Sequence, residues 1–270
     1  MKRLVLICFA ILFASGITAQ NLSVLHFNDT HSHIDPERSG EFIGHGGVIE
    51  QAALIDSVRA ANGRKNVLLL HAGDFSQGTS YFTILKGDIE IELLNDMKFD
   101  VVTLGNHEFD NGLDELARRL DRLHAEVVCA NYDFSATVLS KKVRPYSIVK
   151  RGGYKIGIIG LLTDVRRVVD KNIADKLEYQ DPLEVANHYA EYLKNKKNCD
   201  LVICLTHIGY EEDCILASLS ENVDIVVGGH SHTLLHDITV VNNRQNEPVQ
   251  IVTDWFWGRN MGELLIKKRK

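Results

Sequence analysis

The chain has 270 residues, of which 45% are hydrophobic and 24% are charged, an ordinary globular composition with enough length for one large core. The formal net charge is −6, and the only run of more than two consecutive basic residues is the terminal Lys267–Lys270, which is typical of a solvated tail. An acidic chain of this kind argues against a nucleic acid scaffold as a partner.

Residues 1–19 differ from the rest of the chain. Lys2 and Arg3 precede the apolar run LVLICFAILFA, and small residues follow up to Ala19, the order of a secretory signal peptide. We predict cleavage after Ala19, with a site after Gly16 as the alternative. No other apolar stretch approaches the roughly 20 residues of a membrane span. We therefore expect an exported protein, periplasmic or extracellular, with one domain over residues 20–270 and no membrane span.

Short apolar runs alternate with helical patterns along the chain. The predicted strands lie at 23–27, 66–73, 100–105, 126–132, 154–163, 200–209, 224–229, 237–241 and 249–255. The predicted helices lie at 48–61, 84–97, 113–124 and 182–196. Asp181 before Pro182 is a predicted N-cap with proline at the first helical position. This alternation predicts an α/β fold.

The predicted strands are nearly continuous in their apolar character, which is typical of a sheet covered on both faces. The last third of the chain has strands without helices between them. We therefore expect a second, more antiparallel sheet to close the fold. No linker or internal repeat interrupts the pattern, which indicates a single domain.

Polar residues follow several of the predicted strands at the point where each strand ends. In open α/β sheets, ligand sites form beyond the carboxyl ends of the strands, so residues far apart in sequence can meet there. Taken singly, each is common in turns; their joint placement favours a metal centre. The predicted ligands are Asp29, His31, Asp74, Asn106, His207, His230 and His232. Mixed imidazole and carboxylate ligands suit two divalent ions of the Zn, Mn or Fe kind, with Asp74 as the bridge.

The stretch GNHEFD, residues 105–110, contains more than a ligand. Two ions about 3.5–4 Å apart would hold a bridging hydroxide that attacks phosphorus, and the leaving oxygen then needs a proton donor. We predict that His107 is this general acid, that Asp110 orients its imidazole, and that Asn106 and His107 contact the substrate. Glu108 is interpreted as a supporting loop residue rather than a catalyst.

Other histidines receive no catalytic role. His26 and His71 lie within predicted strands and are expected to be packed or hydrogen-bonded, and His33 stays unassigned. The pattern Asn28-Asp29-Thr30 matches a glycosylation acceptor. We interpret this match as chance, because a glycan there would block the predicted pocket.

The motifs NDTH, AGD, GNHEFD, THIG and GGHSH, in this order, resemble those of the calcineurin-like metallophosphoesterases. Within them, the chain resembles the metallophosphatase domain of the 5′-nucleotidase and UDP-sugar hydrolase family, with further similarity at residues 75–112 and in ANYD, KIGIIGLLT and WGRNMGEL. The resemblance implies a four-layer α/β/β/α sandwich and His107–Asp110 as the catalytic pair. It implies one metal bound by Asp29, His31, Asp74 and His232, and another bound by Asp74, Asn106, His207 and His230.

The resemblance also implies a difference from full-length members, which carry a second domain with an aromatic clamp for the base and arginines for the phosphate. The sequence given ends at Lys270, and its two tryptophans, Trp255 and Trp257, lie either at the rim of the site or in the core. We expect a secreted dinuclear-metal phosphoesterase that hydrolyses nucleotides, alone or with a separately encoded substrate domain. The alternatives are a broader phosphodiesterase or nucleotide-sugar pyrophosphatase, and a metal-binding subunit that needs a partner.

Overall fold

The computed structural model describes residues 21–267, so the predicted signal peptide at 1–19 lies outside the described residues. The strands are β1 (Leu22–Phe27), β2 (Val67–His71), β3 (Val101–Thr103), β4 (Glu126–Val128), β5 (Tyr132–Asp133), β6 (Tyr146–Arg151), β7 (Tyr154–Leu162), β8 (Glu178–Tyr179), β9 (Leu201–His207), β10 (Ile225–Val227), β11 (Thr239–Asn242), β12 (Pro248–Val252) and β13 (Gly262–Ile266). The α-helices are α1 (Val48–Asn62), α2 (Ser80–Leu85), α3 (Asp88–Met97), α4 (Leu113–Leu120), α5 (Lys171–Ala174), α6 (Pro182–Asn195) and α7 (Tyr210–Leu219). None of these helices combines the length and apolar character needed to cross a bilayer.

The strands between residues 21 and 267 form two large sheets and one small pair. The first sheet has the order β13-β1-β2-β3-β4, with β1 to β4 parallel and β13 antiparallel to β1. The second has the order β11-β12-β10-β9-β7-β6, with four central parallel strands and an antiparallel strand at each edge. β5 and β8 pair separately.

Alternating side chains of the parallel strands fill three apolar layers. In β2, Leu68 and Leu70 face the second sheet, whereas Val67 and Leu69 face the helices that cover the first sheet. The outer layers also contain Ile55 of α1, Ile91 of α3 and Leu116 of α4 on one side, and Ala190 of α6 and Leu216 of α7 on the other. Because both faces of each sheet are buried, the strands are nearly continuous apolar runs. The four-layer α/β/β/α sandwich is confirmed.

The structure differs from the sequence prediction in the last third of the chain. The strands there do not form a separate antiparallel sheet: β12 joins the second sheet parallel to β10, and β13 joins the first sheet.

Some individual elements also differ from the sequence prediction. Helix α7 and edge strand β6 were not predicted. The helix predicted at 84–97 is interrupted, because Lys86 (φ 56°) and Gly87 (φ 91°) adopt left-handed backbone conformations.

Helix α6 confirms the prediction at 182–196. The Asp181 side chain accepts hydrogen bonds from the backbone N–H groups of Leu183 and Glu184, and Pro182 occupies the first helical position. The predicted N-cap at Asp181 and the predicted first helical position at Pro182 are therefore both confirmed.

Candidate metal centre

The predicted site residues meet at one end of the sandwich, where β1, β2, β3, β9 and β10 end. Asp29 and His31 follow β1, Asp74 follows β2, and Asn106 follows β3. His207 ends β9, and the loop after β10 carries the remaining histidines. Ligand atoms lie within 4.8 Å of one another in three groups: Asp29, His31 and His232; His31, Asp74 and His107; and Asp74, His207 and His230.

The loops that carry these side chains have unusual backbone conformations. Positive φ angles occur at five of the predicted ligands: Asp29 (49°), His31 (49°), Asp74 (53°), His230 (80°) and His232 (51°). Such angles are uncommon for residues other than glycine and persist where surrounding contacts fix them. Here the backbone N–H of Asp29 donates to the Gly73 carbonyl at 3.0 Å, and that of His31 donates to the Asp74 carbonyl at 3.0 Å.

Glycines allow two of these loops to approach each other closely. A Cβ atom at Gly105 would overlap the Asp74 carboxylate. A Cβ atom at Gly229 would lie 2.8 Å from the Ala72 carbonyl oxygen and 3.1 Å from Asp29 Oδ2. Only glycine therefore fits before Asn106 and His230, which explains why a glycine precedes both polar clusters.

The Asp29 carboxylate faces three imidazoles. Its Oδ1 atom lies 3.4 Å from His232 Nε2, 3.7 Å from His31 Nε2 and 3.9 Å from His207 Nε2. His31 Nε2 and His232 Nε2 are 3.0 Å apart. Ligands about 2.0–2.2 Å from a shared ion lie roughly 3–3.5 Å from one another, so two of these four spacings fall in the range of a ligand shell and the other two are somewhat longer.

Asp74 faces the second group of candidate ligands. Its Oδ2 atom lies 3.1 Å from His207 Nε2 and 3.9 Å from His31 Nε2, so one carboxylate reaches both groups. His207 Nδ1–H donates to the Ala72 carbonyl at 2.7 Å. This bond fixes the ring and leaves Nε2 directed at the carboxylates, as in metal-binding histidines.

Buried polar atoms provide the test of whether a cation fits here. Within the described part of the chain, Asp29 Oδ1 and Asn106 Oδ1 are buried without a hydrogen-bond partner, and the neutral form of His207 that donates through Nδ1 leaves its buried Nε2 without one as well. A buried polar atom without a partner is costly unless another group, such as an ion, satisfies it. The three atoms are all metal-ligand types, so the clustered His and Asp side chains suit divalent metal binding.

The electrostatics of the cluster suit a cation as well. Burial lowers the pKa of His31 to about 4 and also lowers that of His230, which keeps both imidazoles neutral. Burial alone would raise the pKa of Asp74, but the facing imidazole of His207 outweighs it and lowers that pKa. Burial would lower the pKa of His207, yet Asp74 and Asp29 outweigh it and raise that pKa to about 10, which favours the imidazolium form in the metal-free site. Metals bind ionised carboxylates and neutral imidazoles, so a divalent ion would replace the His207 proton as the positive partner of the two carboxylates.

His107 and Asp110 lie at the accessible edge of the cluster. His107 Nδ1 is 2.9 Å from Asp110 Oδ2, and the two side chains are 30% and 29% exposed. The hydrogen bond to Asp110 raises the pKa of His107. The His107 backbone N–H donates to Asp74 Oδ1 at 2.8 Å, which ties the backbone of His107 to a candidate ligand.

A pocket of about 550 Å³ opens above these residues. This volume falls in the range of small-molecule sites. Its lining residues come from both sheets and the loops around them: His31, His33, Asp74, Gln77, Gly78, Asn106, His107, Val168, His230, His232 and Trp257. Trp257 therefore lies at the rim of the site.

Glu108 supports the site through hydrogen bonds to two neighbouring loops, which the sequence alone does not reveal. Its carboxylate accepts hydrogen bonds from the backbone N–H groups of Asp74 (2.8 Å), Ser76 (3.0 Å) and Gly105 (2.7 Å). Burial, together with Asp74, raises the pKa of Glu108 to about 7. The fully buried Arg119 donates to Ser76 Oγ and to the Glu108 carbonyl. The sequence does contain one indication of the role of Arg119, because this arginine lies among the apolar residues on the buried side of α4.

Asn28 is a second supporting residue that sequence reasoning missed. Its amide donates to Asp29 Oδ2 and to the Trp255 carbonyl, each at 2.7 Å, and its oxygen accepts from the Asp254 N–H at 2.8 Å. Asn28 is buried, which agrees with the interpretation of the glycosylation pattern as chance. His26 and His71 are also buried, as predicted, beside Asp254 and Thr30 respectively.

Comparison with known proteins identifies the family. The family model for calcineurin-like phosphoesterases matches residues 22–234. The chain belongs to this family. It is 33% identical over 264 residues to a probable 5′-nucleotidase of Treponema pallidum, a match that covers 90% of this chain and 44% of that protein. It is 31% identical to the NAD 5′-nucleotidase of Haemophilus influenzae, with 96% of this chain and 48% of that protein covered.

Solved structures give the same result. A 5′-nucleotidase precursor from Thermus thermophilus superimposes with a TM-score of 0.84 at 37% identity, covering 91% of this chain and 51% of that one. The NAD nucleotidase of Haemophilus influenzae superimposes with a TM-score of 0.81 at 31% identity, covering 91% and 47%. The chain thus spans about half the length of these relatives.

Proposed function

We propose that the chain is a dinuclear metal phosphoesterase that hydrolyses nucleotide phosphate esters. One observation carries the proposal: candidate ligands from five strand ends cluster at one end of the sandwich, those from four of the strand ends line one open pocket, and several ligand atoms are buried without a hydrogen-bond partner among the described residues. Family membership supports metal-dependent phosphoester chemistry.

The residues divide into two ligand sets that share Asp74. Asp29, His31, Asp74 and His232 would hold one ion, and Asp74, Asn106, His207 and His230 would hold the other. Zn, Mn and Fe suit these mixed ligands. When bound, two such ions neutralise phosphoryl oxygens and lower the pKa of the attacking water.

His107 is assigned to the leaving group. Its Nδ1–H is committed to Asp110, so Nε2 remains to carry a proton to the leaving oxygen. His107 also shares a possible ligand group with His31 and Asp74. We assign it as the acid because its orienting carboxylate and its exposure distinguish it from the buried ligands. Asp110 is assigned as a positioning residue, and Asn106 and His107, which both line the pocket, are assigned to contact with the bound phosphate.

The relatives support the proposed substrate class, since two of them are named probable 5′-nucleotidase and NAD 5′-nucleotidase. The first name favours a nucleoside monophosphate. The second favours a broader activity on nucleotide diesters or anhydrides as the alternative. A metal-binding subunit that acts with a separately encoded substrate domain is a further alternative, since the relatives are about twice as long. The pattern of residues 1–19 supports export to the periplasm or the exterior, with residues 20–270 as the catalytic domain.

The proposal is tested by hydrolysis assays on the purified chain after chelation and readdition of Mn²⁺. AMP and bis-p-nitrophenyl phosphate are compared side by side. Turnover of AMP supports a nucleotidase that acts alone, and turnover of the activated diester only supports a metal centre that needs a substrate domain. Two bound ions without turnover of either ester would contradict the enzymatic proposal.

A further inference from the structure

One side of the pocket is an aromatic wall formed by His33 and Trp257. Their rings are stacked, with centroids 4.0 Å apart and an interplanar angle of 11°. Both residues line the pocket that also contains His31, Asp74 and His107. The His33 side chain is 19% exposed, and Trp257 is also partly exposed, so the wall remains accessible from the pocket.

The aromatic wall is stabilised by the largely buried side chain of Arg259, which contacts the ring of Trp257. The Arg259 guanidinium lies 4.6–4.8 Å from the ring centroids of Phe42, Trp255, Phe256 and Trp257. Its side chain is only 8% exposed and pairs with Glu37 at 3.0 Å. Cation–π contacts of a desolvated arginine are worth about 2 kcal/mol or more, so this arrangement fixes the wall in place.

The wall is also tied to the metal-ligand loops. The Trp257 backbone N–H donates to the Asp29 carbonyl at 2.7 Å, and Trp257 adopts a left-handed φ of 61°. The ring of Phe256 stacks on His232, with centroids 4.9 Å apart. A non-glycine residue in this conformation costs about 1–2 kcal/mol and persists where the surroundings fix it. The aromatic wall therefore stands directly beside the candidate ligands.

We propose that the His33–Trp257 wall selects esters whose organic group carries a flat ring close to the phosphate, as in a nucleoside monophosphate. The inference rests on the proposed function and names the residues that choose its substrate. A flat heteroaromatic ring packs against a flat aromatic wall and leaves water, whereas a sugar phosphate without a base gains no such contact. Among the other described lining residues outside the ligand sets and His107, Gln77, Gly78 and Val168 offer no ring.

The test compares AMP with ribose 5-phosphate, which has the same ester but no base, using the Mn²⁺-loaded chain. Trp257→Leu should lower the ratio of kcat/KM for AMP to that for ribose 5-phosphate by about tenfold, the upper range for one aromatic pair. Trp257→Phe should restore most of the ratio. The matched control is Phe42→Leu, which alters the arginine-backed cluster at a residue that does not line the pocket, and it should leave the ratio within about twofold.

Binding separates this inference from the enzymatic proposal. The chain has two tryptophans, so Trp257→Phe leaves Trp255 as the only one. Adenosine, which lacks a phosphate, should quench the fluorescence of the wild-type chain, ribose should not, and Trp257→Phe should lose most of the quenching. If AMP and ribose 5-phosphate are hydrolysed but their ratio is the same in Trp257→Leu, the inference is wrong and the proposed function stands. If AMP, ribose 5-phosphate and bis-p-nitrophenyl phosphate are all left intact, the proposed function fails, and the quenching by adenosine alone decides for or against the wall.

Discussion

His107 is the residue whose role is most directly testable, because it lies close enough to His31 and Asp74 to be a ligand and is also paired with Asp110. We predict that His107→Ala retains about two ions per chain. Its turnover of AMP should fall about 100-fold or more, since general acids contribute on that scale. Turnover of p-nitrophenyl phosphate should fall less, because that leaving group needs no proton.

The measurement is metal content by mass spectrometry beside kcat for both esters. Asp110→Asn is the companion variant: it removes the orienting charge and should follow the same leaving-group pattern more weakly. Loss of one ion in His107→Ala would show that the imidazole is a ligand rather than the acid.

Asp74 is predicted to serve both ions, since its carboxylate lies near His207 and His31 at once. Asp74→Asn should therefore reduce metal content from about two ions per chain to fewer than one. Asp29→Asn is the matched control, because Asp29 belongs to one proposed set, and it should cost about one ion. Equal metal content in the two variants, measured after the same dialysis, would contradict a shared ligand.

At the scale of elements, Glu108 joins the loop after β2 to the loop after β3. Glu108→Ala would leave three buried backbone N–H groups without their acceptor, each costing about 1–3 kcal/mol. We predict a loss of about 3 kcal/mol or more in the free energy of unfolding of the metal-free protein, measured by urea titration. Glu108→Gln retains one acceptor oxygen and should lose less.

Glu92 provides the control for Glu108. It is a carboxylate on α3 whose side chain is 55% exposed, and it pairs with Arg122 at the surface. Glu92→Ala should change the free energy of unfolding by less than about 1 kcal/mol. If Glu108→Ala is as mild as Glu92→Ala, Glu108 does not hold the two loops together.

The sequence predicts most central elements because they are buried on both faces and therefore apolar. Edge strand β6 escapes prediction because only Ser147 of its six residues is buried, so its pattern is weak. Helix α7 begins at Tyr210, and the acidic residues Glu211, Glu212 and Asp213 in its first turn obscure the apolar pattern of the helix. The break between α2 and α3 depends on Gly87, where a side chain would overlap the guanidinium of Arg119 from a distant helix. The hydrophobic periodicity of residues 84–97 cannot predict this contact, because Arg119 lies far away in the sequence.

For the whole molecule, the sequence predicts that polar residues stand at strand ends, and the structure brings them to one pocket. It does not predict which residues support them. Asn28 meets Trp255 and Asp254 across more than two hundred residues, and β13 returns from the end of the described chain to pair with β1. These pairings depend on the sheet order, which no single segment specifies.

Metal binding should stabilise the whole sandwich, because the candidate ligands come from loops of both sheets. Ligands that bind only the folded state stabilise it by about 2.7 kcal/mol at a hundred times Kd. For a domain of this size, we expect that chelation lowers Tm by about 5–10 °C and that Mn²⁺ restores it. Differential scanning calorimetry measures the shift. Asp74→Asn should show little response to either treatment, and a Tm that chelation leaves unchanged in the wild-type chain would mean that the two sheets are not linked through bound ions.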